Sequence, residues 1–200
     1  MTNKQPIEYS GVFTPFSREE LITEVKKRLS TKRFEHVLRV EQIALELAEK
    51  YEVHLEKVSI AALLHDVAKD EPDTEMMDLV ISENLDLDLL QYGSAIWHAA
   101  TGTVKAIRDF NIEDEEILNA INYHTVGAPE MSLVEQVVFI ADYIEPGRDF
   151  EGVEEARKLA EQSLEKALKF KLKETIIDLV HRKRKIYPRI IDSYNAWVAK

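Results

Sequence analysis

A chain of 200 residues, of which 45% are hydrophobic, is long enough for a single domain around one buried core. Its formal net charge of −11 argues against duplex DNA or RNA as a partner, because an acidic surface repels a phosphate backbone. The chain contains no cysteine, which excludes disulfides and thiolate ligands, so any metal must be bound by His, Asp or Glu.

Apolar residues recur at spacings of three and four along most of the chain, and the sustained alternation typical of strands is absent, so the pattern predicts an all-α fold. Ser17 with Glu20, and Ser132 with Glu135, each have the form of a capping box that begins a helix. We then expect helices over residues 34–50, 55–69, 73–82, 94–110, 114–123, 132–143, 151–169 and 172–186, and a terminal piece over 190–198. Residues 1–16 are predicted to form an N-terminal arm and residues 17–200 a single domain.

Membrane and secretion signals are absent from the sequence. No segment approaches the roughly 20 apolar residues that span a bilayer, and the first thirty residues lack the pattern of a secretory signal. We therefore expect a cytoplasmic protein that makes no contact with a membrane. Monomeric and homo-oligomeric states are both compatible with the sequence.

Four histidines lie on the predicted helices or at their ends, beside apolar residues: His36, His65, His98 and His124. A single histidine on an apolar face is usually a hydrogen-bonded core residue. Burying four of them together in one small core is costly unless they satisfy one another or share a cation. The group as a whole therefore indicates a metal site.

Two aspartates follow apolar helical runs. Asp66 comes after residues 60–64 and His65, and Asp142 comes after residues 137–141. A carboxylate at the end of a buried helix is unfavourable unless it is neutralised, and a metal ion would neutralise it. For Asp142, an ordinary polar residue at a helix terminus is the alternative interpretation.

The succession of His36, the His65-Asp66 pair and Asp142 resembles the HD superfamily of metal-dependent phosphohydrolases. Several short sequence motifs resemble those of one family within this superfamily, the YqeK family. These motifs are His65-Asp66-Val67-Ala68-Lys69, Trp97-His98-Ala99, Tyr123-His124-Thr125, Ala141-Asp142-Tyr143-Ile144-Glu145-Pro146-Gly147-Arg148 and Tyr194-Asn195. The resemblance extends from around Arg18 to the end of the chain. It departs at Val126, where the family usually has a small or hydroxylated residue.

This resemblance implies a single HD-domain helical bundle with a buried metal site, iron as the metal, and symmetrical hydrolysis of diadenosine tetraphosphate to two ADP. It implies His36, His65, Asp66 and Asp142 as metal ligands. His98 and His124 would lie close by, either as ligands of a second ion or as contacts to the phosphates. By the chemistry of the donors alone, manganese, zinc or cobalt would also be bound.

The expected reaction is attack of a metal-activated water on phosphorus, because a bound metal lowers the pKa of water and polarises a phosphoryl oxygen. Asp66 is our candidate for orienting or deprotonating that water. His98 and His124 are candidates for stabilising charge on the phosphates or protonating the departing ADP. Lys69 lies three residues after Asp66 and can pair with a phosphate, although stabilisation of the helix C-terminus would equally explain it.

Further substrate contacts are expected on both sides of these ligands. Arg33 lies one helical turn before His36, and Arg148 lies on a loop after Asp142, where each guanidinium can bind a phosphate. A surface arginine is the alternative for Arg148. The other candidates are Thr125 beside His124, and Lys185, Tyr187, Pro188 and Arg189, a segment that can cover a base or simply form a helix-ending turn.

Three other functions are compatible with the same residues. Another HD phosphohydrolase, such as a nucleotidase or a cyclic dinucleotide phosphodiesterase, would need the same metal core and a different outer pocket. A nucleotide-binding sensor would keep the ligands without turnover, and some HD proteins are di-iron oxygenases. The six glycines form neither a P-loop nor a G-x-G-x-x-G motif, which favours a hydrolase that holds phosphate by side chains and metal over a kinase.

Overall fold

The computed structural model describes residues 7–199, so the first six residues of the expected N-terminal arm lie outside the described range. Residues 7–199 form ten α-helices and one short 3₁₀ helix, and contain no strand. The prediction of an all-α fold is confirmed. No helix in this range is both long and apolar enough to cross a bilayer.

The α-helices follow in chain order, with the 3₁₀ helix over Leu87–Gln91 between the fourth and the fifth. They are α1 (Arg18–Arg28), α2 (Thr31–Lys50), α3 (Leu55–Leu64), α4 (Asp73–Ser82), α5 (Ser94–Phe110), α6 (Glu115–Tyr123), α7 (Leu133–Ile144), α8 (Val153–Gln162), α9 (Leu164–His181) and α10 (Pro188–Trp197).

Capping boxes begin α1 and α7, as the sequence predicts. In each, the serine side chain accepts from the backbone amide three residues later, and the glutamate at that position accepts from the serine amide. The pairs are Ser17 with Glu20 and Ser132 with Glu135. Each box satisfies two amides that have no partner within the helix.

Three predicted boundaries are wrong, and one of them is the end of α9, which lies at His181 and not at residue 186. The helix expected over 55–69 ends at Leu64, and the chain continues in tight turns in which Val67 and Lys69 donate to the carbonyls of Leu64 and Asp66. The break expected between residues 169 and 172 lies instead at Ser163, whose extended backbone ends α8. The Ser163 side chain caps the amide of Lys166, so α9 begins earlier than predicted.

Helices α2, α3, α6 and α7 pack against one another at the centre of the fold. Every side chain from Val58 to Leu64 on α3 is fully buried. Residues 7–16 lie against this core, since the Tyr9 hydroxyl is 2.7 Å from Oγ of Ser59 and Thr14 donates to the carbonyl of Phe110. The fold thus brings the ends of α3, α6 and α7 together on one side of α2.

Candidate active site

The predicted ligands come from five separate helices and meet in one place. His36 lies on α2 and His98 on α5, whereas His65 with Asp66, and His124, directly follow the ends of α3 and α6. Asp142 lies in the last turns of α7. The four histidines are at most 5% exposed.

All four histidines turn Nδ1 away from the centre of this cluster, towards an oxygen atom. The distances are 3.1 Å from His36 to Oε1 of Glu145, 2.7 Å from His65 to the carbonyl of Ala62, 3.0 Å from His98 to the carbonyl of Ser94, and 2.7 Å from His124 to the carbonyl of Ile121. Because carbonyls and ionised carboxylates only accept, Nδ1 carries the proton in each neutral ring. Four Nε2 lone pairs therefore point into the cluster.

Asp66 lies where these lone pairs converge. Its Oδ2 is 3.6 Å from Nε2 of His36 and 3.5 Å from Nε2 of His65, while Oδ1 is 3.2 Å from Nε2 of His98 and 3.6 Å from Nε2 of His124. Burial alone would raise the pKa of Asp66, but the imidazoles of His65, His124 and His98 around it, when they carry a proton on Nε2, hold it well below its ordinary value. Asp66 is therefore a carboxylate at neutral pH.

The cluster suits a divalent metal. Two groups of residues could each hold an ion, because the ligand atoms within each group lie within 4.8 Å of one another: His36, His65 and Asp66 form one group, and Asp66, His98 and His124 form the other. Within the described part of the chain, Nε2 of His36 and Nε2 of His65 are buried without a hydrogen-bond partner. Buried polar atoms are rarely left unpaired, and a cation would satisfy both. Imidazole and carboxylate donors alone do not select one metal.

Asp142 borders this cluster and pairs with basic residues. Its Oδ1 lies 3.3 Å from Nε2 of His36 and accepts from the Arg148 guanidinium, while Oδ2 is 3.7 Å from Nζ of Lys171. Burial opposes ionisation of Asp142, but its contacts with His36, Lys171 and Arg148 outweigh burial and hold its pKa well below the ordinary value. Asp142 is thus a second carboxylate beside the same imidazoles.

Lys69 and Arg33 line the same cluster. Nζ of Lys69 lies 3.1 Å from Nδ1 and 3.3 Å from Nε2 of His98, and Arg33 donates to Oδ2 of Asp66 over 2.8 Å. Burial lowers the pKa of Lys69 and of His98, and lowers that of His124 to about 4. At neutral pH His98 and His124 are therefore neutral imidazoles in this arrangement.

The segment 185–189 is only partly next to this cluster. Tyr187 and Arg189 line a small cavity of about 20 Å³ with Thr125, whose Oγ1 is 3.2 Å from Nε2 of His124. Such a cavity holds about one water molecule. Lys185 instead donates to the carbonyl of Gln91, and Pro188 forms the first turn of α10. Tyr187 is 5% exposed, so a base has no open face of its ring to cover.

Three residues at this site were not singled out in the sequence: Arg39, Glu145 and Lys171. Glu145 and Arg39 each lie three residues, close to one helical turn, after a candidate ligand, and this spacing was a signal that could have identified them. Lys171 stands among other lysines of an amphipathic helix, so nothing local marks it. Each is placed at the site by helix packing.

Comparison with known proteins supports a relationship over nearly the whole chain. The sequence profile of the HD domain family matches residues 33–147. The symmetrical bis(5'-nucleosyl)-tetraphosphatase of Bacillus subtilis is 41% identical over 90% of this chain and 96% of that protein. The protein of the same description from Staphylococcus aureus is 40% identical over 85% of this chain and 89% of that protein.

A solved structure shares the fold. It is the crystal structure of a predicted HD superfamily hydrolase involved in NAD metabolism from Clostridium acetobutylicum, which superposes with a TM-score of 0.84 at 35% identity. The superposition covers 92% of this chain and 98% of that one. The helical arrangement of this chain is thus shared with a solved structure of the HD superfamily.

Proposed function

Since this chain belongs to the HD-domain family and, within it, to the symmetrical bis(5'-nucleosyl)-tetraphosphatases, we propose that it hydrolyses diadenosine tetraphosphate to two ADP. The observation that carries this proposal is the convergence of four Nε2 lone pairs on Asp66, inside the region matched by the family. The substrate follows from the relatives, and the chemistry follows from the cluster.

The proposed metal ligands are His36, His65, Asp66 and Asp142, with iron as the metal and manganese as an alternative. When bound, such a metal polarises a phosphoryl oxygen and lowers the pKa of water. One ion or two are both compatible with the donors, because Asp66 belongs to both groups of ligand atoms.

Of the three roles expected for His98 and His124, their geometry favours ligation of a second ion. Their Nε2 atoms are 3.0 Å apart, and two lone pairs at that distance repel each other unless a proton or a cation lies between them. Their lowered pKa values also argue against a proton-donating imidazolium at neutral pH. Lys69, whose Nζ lies 3.1 Å from Nδ1 of His98, is then our candidate for protonating the departing ADP.

We propose that Asp66 orients the attacking water and that basic residues bind the polyphosphate. Five basic side chains surround the carboxylates Asp66, Asp142 and Glu145, although the whole chain is acidic: Arg33, Arg39, Lys69, Arg148 and Lys171. A local excess of positive charge suits a substrate with four phosphates. Arg33, Lys69 and Arg148 are the proposed phosphate contacts. Thr125, Lys185, Pro188 and Arg189 are the proposed contacts on the nucleoside side, without stacking of the base on the buried ring of Tyr187.

Several expectations about the cell belong to the same proposal. We infer a cytoplasmic enzyme that takes a dinucleoside polyphosphate or another nucleotide, with neither duplex nucleic acid nor a membrane as a partner. Another HD nucleotide phosphohydrolase, or a nucleotide sensor, is the alternative function for the same residues.

The test is anaerobic loading of the protein with Fe²⁺, followed by chromatography of the products formed from diadenosine tetraphosphate. We expect ADP as the sole product, and an Asp66→Ala variant that loses at least about 10³-fold in kcat, because the carboxylate shared by both ligand groups is removed. Asp192→Ala changes an exposed aspartate on α10 and is expected to match the parent.

The identity of the products tests the cleavage position, and the presence of any turnover tests the enzymatic function. ATP and AMP in equal amounts would overturn the symmetrical cleavage position. Absence of turnover in the iron-loaded parent, while the iron stays bound, would overturn the enzymatic function in favour of a sensor.

A further inference from the structure

Glu145 differs from the other partners of the site histidines. Three of the four Nδ1 atoms donate to backbone carbonyls three or four residues earlier in the chain: those of His65, His98 and His124. Such carbonyls are part of the local helical backbone, so these rings are oriented as soon as that local backbone is formed. His36 instead donates to the side chain of Glu145, which lies 109 residues away in the sequence.

We infer that Glu145 is a positioning residue that holds the imidazole of His36 in the orientation and tautomer needed to bind the metal. This inference rests on the proposed function, because it assumes that His36 is a ligand. A carboxylate that accepts from Nδ1 fixes the proton there and leaves Nε2 as the donor atom. It also makes Nε2 more basic, which strengthens a metal bond.

The carboxylate of Glu145 is itself held in place. Oε1 faces His36, while Oε2 accepts from Nε of Arg39 and from the backbone amide of Gly147, each over 2.6 Å. Glu145 is 2% exposed and ends α7, three residues after Asp142. The last turn of α7 therefore positions both Asp142 and Glu145, the partner of His36.

Gly147 leaves space for this arrangement. A Cβ atom at this position would lie 2.6 Å from one terminal nitrogen of Arg39 and 2.9 Å from Cζ. The Arg39 side chain is flexible enough to move away, but in doing so it would leave Glu145. A Gly147→Ala substitution thus disturbs the contact between Arg39 and Glu145 without removing any charged group from the chain.

A purely structural role is the alternative, and buried charge pairs often add little net stability. Glu41 provides a matched comparison because it is also 2% exposed and is bound by an arginine, Arg18, through two hydrogen bonds of 2.8 Å and 2.6 Å. It lies on α2, the helix that carries His36, but its hydrogen bonds go to Arg18 and Ser59. Removing the Glu41 carboxylate breaks a buried ion pair but removes no hydrogen-bond partner of a site histidine.

The experiment compares Glu145→Ala with Glu41→Ala in the full-length chain. Mn²⁺ is titrated into the metal-free proteins while free Mn²⁺ is followed by electron paramagnetic resonance, and the Tm of each metal-free protein is measured separately. We expect both variants to have a lower Tm than the parent. Only Glu145→Ala is expected to bind Mn²⁺ about 10- to 100-fold more weakly.

Milder variants guard against unfolding of Glu145→Ala. Arg39→Met and Gly147→Ala keep the carboxylate and its contact with the backbone amide of residue 147 but remove or disturb the Arg39 contact, and we expect each to weaken Mn²⁺ binding by a smaller factor with little change in Tm. Glu145→Gln keeps an oxygen acceptor for Nδ1 and should recover part of the affinity lost in Glu145→Ala.

Two results would overturn the inference. Parent-like Mn²⁺ affinity in Glu145→Ala would show that His36 needs no partner, and an equal loss in Glu41→Ala would show a general effect of destabilisation. If the parent itself binds no Mn²⁺, the proposed metal site fails, and this failure is distinct because it precedes any comparison of variants.

Discussion

Lys171 is a lysine that is 4% exposed and joins three helices behind the candidate active site. From α9 its ammonium donates to the carbonyl of His124 over 3.1 Å and to the carbonyl of Phe139 over 2.5 Å, and it lies 3.7 Å from Oδ2 of Asp142. Burial lowers its pKa to about 8, and the nearby charge of Asp142 offsets only part of that effect. The residue therefore supports the turn after α6 and the helix that carries Asp142.

A Lys171→Met variant should lower the free energy of unfolding by about 2 to 4 kcal/mol, because two buried carbonyls lose their donor. For the metal-free protein the difference should depend on pH. Above pH 8 folded Lys171 loses a proton that the unfolded chain keeps up to about pH 10, so the parent gains stability and the variant does not. Urea unfolding at pH 7.5 and pH 9.5 should show a larger difference in the free energy of unfolding between the parent and the variant at the higher pH.

Lys173→Met, an exposed substitution on the same helix, is the control and should stay within about 0.5 kcal/mol of the parent. A gap for Lys171→Met that narrows as the pH rises would contradict the assigned burial of its ammonium.

Helix α7 shows how an element delivers functional groups at its end. Its capping box at Ser132 begins the helix, and its middle residues from Val137 to Ala141 are at most 1% exposed. Asp142 and Glu145 follow at the point where the helix stops. The apolar middle anchors the element in the core, so its polar end is held at a fixed depth beside α2.

Ser132→Ala should lower the free energy of unfolding by about 1 kcal/mol, because an alanine cannot accept from the amide of Glu135. Ser132→Asp retains an acceptor at this position and should lie close to the parent. Urea unfolding of the three proteins measures the effect. Equal losses in both variants would mean that the hydroxyl has a role other than capping.

The whole molecule combines an acidic chain with a basic site, and we expect binding of the proposed metal to be linked to folding. The candidate ligands come from helices that are distant in sequence, so a metal bound by them stabilises the folded state over the unfolded chain. At a metal concentration 100 times the Kd, this linkage contributes about 2.7 kcal/mol.

Saturation with Mn²⁺ should therefore raise the Tm by about 5 to 10 °C for a domain of this size, and excess chelator should reverse the rise. Asp66→Ala should lose most of the shift because it removes a ligand atom from both groups. His181→Ala, which changes an exposed histidine at the end of α9, should keep the full shift. Differential scanning calorimetry measures the change, and a full shift in Asp66→Ala would exclude that residue as a ligand.

Local patterns in the sequence were enough to predict the all-α fold and both capping boxes, and together with the family resemblance they predicted the gathering of His36, His65, His98, His124 and Asp66 in one buried cluster. Helix periodicity and the cost of burying polar groups act over a few residues, so they can be evaluated from the chain alone. The ligand roles of these residues stay predictions, as does the division into an arm and a domain.

Only the tertiary structure showed which other residues support the candidate ligands of the cluster. Glu145 contacts His36 across 109 residues and Arg39 across 106, and Lys171 reaches the carbonyl of His124 across 47. These contacts depend on how the helices pack, which the local pattern of each helix does not specify. The early end of α3 at Leu64 was missed for a related reason, since the residues after it remain buried and keep an apolar pattern while the backbone leaves the helix.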